Sequence, residues 1–310
     1  MAKYCFGIDI GGTTVKCGLF GTDGTLMEKW EIPTRTEDGG SKVLPDIAAT
    51  ILAKMEEKGI SKEDVAGAGV GAPGPVRENK MPYAVNLHWG ETDIGQILGE
   101  LTGLPIRAGN DANVAALGEM WKGGAEGRRD AIVVTLGTGV GGGIIVDGKL
   151  VEGAHGAGGE IGHAHVADDI HDPCGCGNCG CLEQVASATG IVRLAREELA
   201  SGCSDTKLSA DDLSSKNVFD AYKEGDAAAD RIVNRFAKYL GTTLATYACV
   251  VDPEVIVIGG GVSKAGQVLV DIVGKYFRDN AFPADKETPI VLAELGNDAG
   301  IYGAARLVLG

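Results

Sequence analysis

Short apolar runs that end in glycine-rich turns set the pattern of this chain. Residues 4–10 read as a strand, followed by Gly11-Gly12-Thr13-Thr14, a second strand over 15–20, and the hairpin-type turn Asp23-Gly24. The same order recurs later: a strand over 131–136, the run Gly137-Thr138-Gly139-Val140-Gly141-Gly142-Gly143, a strand over 144–146, then Asp147-Gly148. The echo is loose, with a register slip of about two residues, yet a repeated supersecondary unit implies two related α/β lobes with a cleft between them. A third run, Gly259-Gly260-Gly261, follows the apolar segment 255–258. Glycine makes up 49 of 310 residues, and the absence of a Gly-X-Y period excludes collagen.

Between these turns the apolar spacing is helical over 44–58, with Leu44, Ile47, Ile51, Leu52 and Met55 on one side and Gly59 as the stop. Further helices are expected over 94–101, from Asn110-Asp111 to near Trp121, over 182–199, over 226–248, and after Asn297-Asp298. Strands are expected over 65–70, before Gly71-Ala72-Pro73-Gly74-Pro75, and over 104–108.

Charge narrows the choice of partner. Lys and Arg number 28 against 43 Asp and Glu, a net charge of −15. Such a chain is a poor ligand for nucleic acid or an anionic membrane. Any phosphate compound must find its positive field locally, in backbone N–H groups or a metal. No apolar run has the length of a membrane span. The residues Met1-Ala2-Lys3-Tyr4-Cys5 carry no signal-peptide pattern, and the cysteine usage is that of a reducing cytosol.

Four motifs carry chemistry. Glycines beside threonine hydroxyls, as in Gly11-Gly12-Thr13 after Asp9, present donors to an oxyanion. Gly137, Gly139 and Gly142 fit G-x-G-x-x-G, but a strand and a turn follow where a dinucleotide fold needs a helix. No Walker loop is present. Asn110-Asp111 lies between a strand and a helix. Either residue suits an N-cap, and a carboxylate there can also take a proton from a substrate hydroxyl. Cys174, Cys176, Cys179 and Cys181 crowd one segment after His163, with the composition of a Zn²⁺ site. Spacing does not say which three cysteines bind, and His155, His165 and His171 remain competitors. Glu160 and Glu183 bracket this segment. They suit sugar hydroxyls, although Glu183 also fits as the acidic start of a helix.

Asp9-Ile10-Gly11-Gly12-Thr13, Asn110-Asp111-Ala112-Asn113, Gly159-Glu160-Ile161-Gly162-His163 and the run from Cys174 to Glu183 together resemble the ROK family of sugar kinases and repressors. Pro73-Gly74-Pro75, Asn86-Leu87-His88-Trp89 and the continuation of the Asn110 segment to Glu119 are most similar to its bacterial glucokinases. The resemblance implies an actin-like (ribonuclease H-like) α/β fold of two lobes with the active site between them. The smaller lobe is expected over 1–108 plus 298–310, and the larger, with a zinc-binding loop, over 109–297.

By the same resemblance Asp111 is the general base. Gly74, Asn86, Asn110, Asp111, Glu160, His163 and Glu183 hold the sugar. Gly11, Gly12, Thr13, Lys16, Thr138 and Gly139 line the ATP phosphates, Gly259, Gly260 and Gly261 approach adenosine, and Asp9 orients Mg²⁺. His163, Cys174, Cys176 and Cys181 hold a structural Zn²⁺. The implied activity is ATP-dependent phosphorylation of the 6-hydroxyl of glucose by a cytoplasmic homodimer or homotetramer. The alternatives are a kinase for N-acetylglucosamine, mannose or fructose, and a non-catalytic sugar-sensing regulator. Family repressors carry an N-terminal DNA-binding segment, for which no room is expected before Asp9.

Overall fold

The computed structural model describes residues 2–310. They form two compact units, one of the residues up to Gly127 with Leu150–Gly158 and Leu295–Gly310, the other of Arg128–Lys149 and Gly159–Glu294.

In the first unit, β1 (Tyr4–Ile10), β2 (Thr14–Gly21), β3 (Leu26–Pro33), β4 (Val65–Ala72) and β7 (Ile106–Asn110) make a sheet in the order β3-β2-β1-β4-β7. The first three strands pair antiparallel, and β4 and β7 join in parallel. Two-residue strands β5 (Lys80–Met81) and β6 (Thr92–Asp93) form a separate ladder. The helices are α1 (Glu37–Gly40), α2 (Val43–Lys58), α3 (Ile94–Thr102), α4 (Asp111–Lys122) and, from the chain's end, α10 (Ala299–Leu309). Gly59 ends α2 in the left-handed conformation, φ 62°, which glycine adopts without steric cost. Phe6, Ile8, Ile47 and Ile51 are fully buried in one core.

Helix α10 lies against β1, β4 and α4. Gly18, Gly7 and Gly69 are register partners across β2, β1 and β4, which sets a glycine row across three strands. A Cβ on Gly7 would strike the Ile301 carbonyl, and one on Gly69 the Ala304 carbonyl. On the helix side, Gly303 faces the Val114 carbonyl of α4 and Gly118 faces the Ala299 carbonyl.

The second unit repeats the topology. Its strands β8 (Ala131–Leu136), β9 (Val140–Val146), β10 (Lys149–Leu150), β11 (Val255–Gly259) and β12 (Ile290–Leu292) run in the order β10-β9-β8-β11-β12. Here too the first two strands of the unit form an antiparallel hairpin and the later two add in parallel. Helices α5 (Glu183–Ala186), α6 (Ala188–Ala200), α7 (Ser215–Lys223), α8 (Ala227–Val251) and α9 (Gln267–Asn280) complete it. Ile132, Val134, Phe236, Leu240, Ile256 and Phe277 are fully buried in its core.

Several boundaries differ from the sequence reading, for identifiable reasons. Strand β9 begins at Val140, so Gly141–Gly143 are strand residues despite poor intrinsic propensity. Gly142 is pressed by the Ile161 side chain, a contact that only a residue without Cβ accepts. The helix expected over 182–199 is two helices, because the Ser187 hydroxyl accepts from the Gly190 N–H and starts α6 afresh. Strand β3 and helix α7 lack the strong apolar runs that mark the others, whereas α9, also absent from the sequence reading, carries one in Val268-Leu269-Val270-Asp271-Ile272-Val273. The expected lobe boundary at 108 falls before α4; in the structure α4 packs on α10, and the first unit runs on to Gly127 and takes in Leu150–Gly158.

Gly303→Ala tests the glycine contact. Alanine gains about 1 kcal/mol of helix propensity. Its methyl, however, meets backbone that cannot rotate away. Overpacking of this kind costs about 1–3 kcal/mol. A lowered urea midpoint is expected. Gly90→Ala, where nothing lies within 4 Å of the added methyl, is the control.

Candidate active site and metal cluster

The first turn is held by backbone. The Gly11 N–H donates to the Thr14 carbonyl at 3.0 Å and the Thr34 N–H to the Thr13 carbonyl at 2.9 Å. Thr34 Oγ1 donates to the Gly11 carbonyl at 2.7 Å. Nothing lies within 4 Å of where a Gly12 side chain would begin, so that backbone is open to a ligand. Asp9 and Lys16 face each other in register across β1 and β2. Burial pushes the Asp9 carboxyl above its ordinary range, and the Lys16 charge pulls it back. The carboxyl also sits under Gly300 at the start of α10. Lys16 Nζ donates to the Asn297 carbonyl at 3.1 Å.

The Asn110-Asp111 ambiguity has a clear structural answer. Asn110 is the N-cap of α4: its Oδ1 accepts from the Asn113 N–H at 3.1 Å. Its Nδ2 donates to the Gly74 carbonyl at 3.1 Å, which ties the Pro73-Gly74-Pro75 turn to the start of the helix. Asp111 is the first helical residue, and its Oδ1 accepts from the Ala112 N–H at 2.8 Å. The carboxylate therefore stands at the positive end of α4, at the end of β7, without being needed as the cap. Asn86 is exposed on a short turn between the buried residues Ala84 and Leu87, and the indole N–H of buried Trp89 donates to the Gly40 carbonyl at 3.1 Å.

In the second unit, the turn between β8 and β9 is gripped from two sides. The Ala188 N–H donates to the Gly137 carbonyl, and Thr189 Oγ1 to the Thr138 carbonyl, both at 2.8 Å. Glu183 Oε2 accepts from the Val140 N–H at 3.0 Å and fills the place a side chain on Gly139 would need. Glu183 is thus both the first residue of α5 and a support for this turn. Gly260, at φ 83°, packs on the Leu136 backbone, Gly259 is buried in β11, and Gly261 is exposed.

The four candidate metal ligands come together. The donor atoms of His163, Cys174, Cys176 and Cys181 all lie within 4.8 Å of one another. Tetrahedral zinc with Zn–S of about 2.3 Å requires sulfurs about 3.7 Å apart. Cys176 Sγ and Cys181 Sγ are 3.7 Å apart, and Cys174 Sγ is 3.7 Å from His163 Nδ1. Burial pushes the Cys181 thiol up to about 12 and also raises Cys174. A bound dication supplies the charge that makes such thiols thiolates, so the donor set fits the ion.

The competing residues stand outside the cluster. Cys179 Sγ donates to the His171 carbonyl at 3.2 Å, His165 bonds Asp168 and the Cys179 carbonyl, and His155 lies in the first unit beside Val76 and Arg77. The two His163 nitrogens face different partners: Nδ1 faces the cluster, and Nε2 lies 3.8 Å from Glu160 Oε2. One imidazole thus turns one nitrogen to the cysteine cluster and the other to the Glu160 carboxylate. Sequence reasoning gave Asn113 no role. Its signal was a second asparagine three residues after Asn110, on the buried side of α4.

Two units of one topology, with glycine turns at their hairpins and a carboxylate opening a helix, define an actin-like sugar kinase fold. The chain belongs to the ROK family, whose family model matches residues 5–310. It is 42% identical over 314 residues to a glucokinase of Halalkalibacterium halodurans, covering 99% of this chain and 95% of that one. An N-acetylmannosamine kinase of Escherichia fergusonii is 32% identical, covering 98% and 97%. The crystal structure of a ROK family glucokinase from Streptomyces griseus, in complex with glucose and AMPPNP, superposes with a TM-score of 0.76 at 33% identity, covering 98% of each chain.

The cap assignment is testable on stability alone. Asn110→Ala loses the cap and the tie to Gly74, and thermal melts should show a loss of about 1–2 kcal/mol. Asp111→Asn keeps an oxygen for the Ala112 N–H and should shift the melt by less.

Proposed function

We propose that this chain is an ATP-dependent glucokinase that transfers a phosphoryl group to the 6-hydroxyl of glucose. The observation that carries the reading is at the start of α4: Asn110 supplies the cap, and the Asp111 carboxylate stands beside it at the end of β7. The similarity to glucokinases along nearly the whole chain supports the substrate. Asp111 accepts the hydroxyl proton as the sugar oxygen attacks. Asn110, Asn86, Gly74, Glu160, His163 and Glu183 hold the remaining hydroxyls. Gly11, Gly12, Thr13 and Lys16, with Thr138 and Gly139, present donors to the phosphates, and Gly259 to Gly261 lie toward adenosine. Mg²⁺, oriented by Asp9, neutralises phosphate charge when bound. The enzyme is read as a cytoplasmic homodimer or homotetramer, as the family resemblance implies. No helix among the described residues is long and apolar enough to cross a membrane.

A coupled ADP-release assay with Mg-ATP across glucose, mannose, fructose, N-acetylglucosamine and N-acetylmannosamine tests the activity, and the highest kcat/KM is expected for glucose. A positioned base is worth roughly 10²–10⁴ in rate. Asp111→Asn should therefore lower kcat at least about a hundredfold while moving the glucose KM far less. Sugar-dependent turnover near the native rate in that variant removes Asp111 from the mechanism.

We infer that the cluster of His163, Cys174, Cys176 and Cys181 holds a structural zinc ion. Three thiolates and an imidazole complete four-coordination, which leaves no open position for substrate. Elemental analysis should find one zinc per chain. Cys176→Ser should lose it together with thermal stability, and Cys179→Ser should keep it. Equal loss in both variants contradicts the ligand set.

A further inference from the structure

One polar side chain on α4 has no part in the chemistry above. Asn113 is 5% exposed, and its Nδ2 donates to the Gly158 carbonyl at 3.2 Å. Its Oδ1 is buried and meets no hydrogen-bond partner. A buried amide oxygen left unmatched is destabilising, and a branched apolar side chain such as leucine would avoid that cost. What the asparagine provides and leucine does not is the N–H on Gly158.

Gly158 ends a segment built to be pinned. The Gly158 N–H donates to the Glu152 carbonyl at 2.9 Å and closes a loop in which Gly153 and Gly156 have positive φ. A Cβ on Gly158 would strike the Val151 carbonyl, so its backbone already lies against the residue that follows β10. The next residues are Gly159, at φ 88°, and Glu160. Two glycines before Glu160 give this stretch little stiffness of its own. The grip on the Gly158 carbonyl comes from the helix whose first residue is Asp111.

We propose that Asn113 is a positioning residue for sugar binding: its amide fixes the Gly158 carbonyl and thereby the backbone that leads into Glu160. The proposal rests on the reading that Glu160 holds a sugar hydroxyl. Asn113 touches no substrate and acts only through that segment.

The test uses Asn113→Leu and Asn113→Asp, with Glu160→Gln as the reference. The aspartate keeps the shape and sets a carboxylate against the Gly158 carbonyl in place of the donor. In both Asn113 variants the glucose KM should rise about five- to tenfold, as expected for one lost hydrogen bond, while the ATP KM stays within about twofold. Hydrogen exchange should speed up in the peptide spanning 156–162 and stay unchanged in the one spanning 131–136. The leucine variant, bulkier than asparagine, is followed by a thermal melt. If it does not fold, the aspartate variant carries the comparison. Unchanged glucose KM in the Asn113 variants, with a raised one in Glu160→Gln, overturns the proposal. Parallel rises for glucose and ATP overturn it too, since they mark a general structural loss. An unchanged KM in Glu160→Gln itself refutes the sugar role of Glu160 and leaves the exchange result to decide whether Asn113 pins the segment.

Discussion

Backbone packed directly on backbone is the constraint on which the first unit depends. The row of Gly18, Gly7 and Gly69 opens a trough across the sheet, and α10 settles into it. Gly303 and Gly118 then let α4 close on α10 from the other side. The arrangement makes the last residues of the chain part of the fold built by the first. It brings the start of α10 onto Asp9 and places Asn297 within reach of Lys16. Side chains of ordinary size at those glycines would hold the helix away from the strand ends where the candidate site lies. The high glycine content is therefore partly structural, and only part of it is open backbone for a ligand.

A similar economy governs the polar groups. Asn110 accepts from one of the N–H groups that a helix start leaves unpaired, so the cap does not rest on the neighbouring carboxylate. His163 offers one ring nitrogen to the cysteine cluster and the other to Glu160. In both cases adjacent atoms are given separate tasks, and a reading that assigns one role per residue would have to discard one of them.

The sequence made the two hairpins with their glycine turns legible, because a run of apolar residues broken by glycine has few other solutions. Residues 4–10 and 131–136 were read with the bounds the structure gives. It also made the candidate residues legible as types. What it left open was partnership. Whether Asn110 or Asp111 caps depends on where Gly74 and Asn113 fall, and which cysteine stands apart depends on the turn that sends Cys179 toward the His171 carbonyl. These are contacts across tens of residues or across one tight turn, and apolar periodicity carries neither. Strand β3 was missed because its inward residues, among them Trp30 and Ile32, alternate with Met27, Lys29 and Glu31, and the charges interrupt the apolar signal.

Glu183 shows how far local support reaches in the second unit. Oε2 holds the Val140 N–H, and Oε1 lies 3.6 Å from Cys174 Sγ. The carboxylate therefore stands between the cysteine cluster and the turn of Thr138 and Gly139. With the thiols protonated, Cys174 can donate to it. With a dication bound and the thiol ionised, that donor is gone, and the positive ion becomes the carboxylate's nearest counter-charge. Either way the position of Glu183 is coupled to the state of the cluster, and so is the turn it supports. His163, one of the cluster's four residues, turns its second face to Glu160. A metal held at this place would set two carboxylates and one glycine turn at once, from a loop too rich in glycine to hold them by its own stiffness.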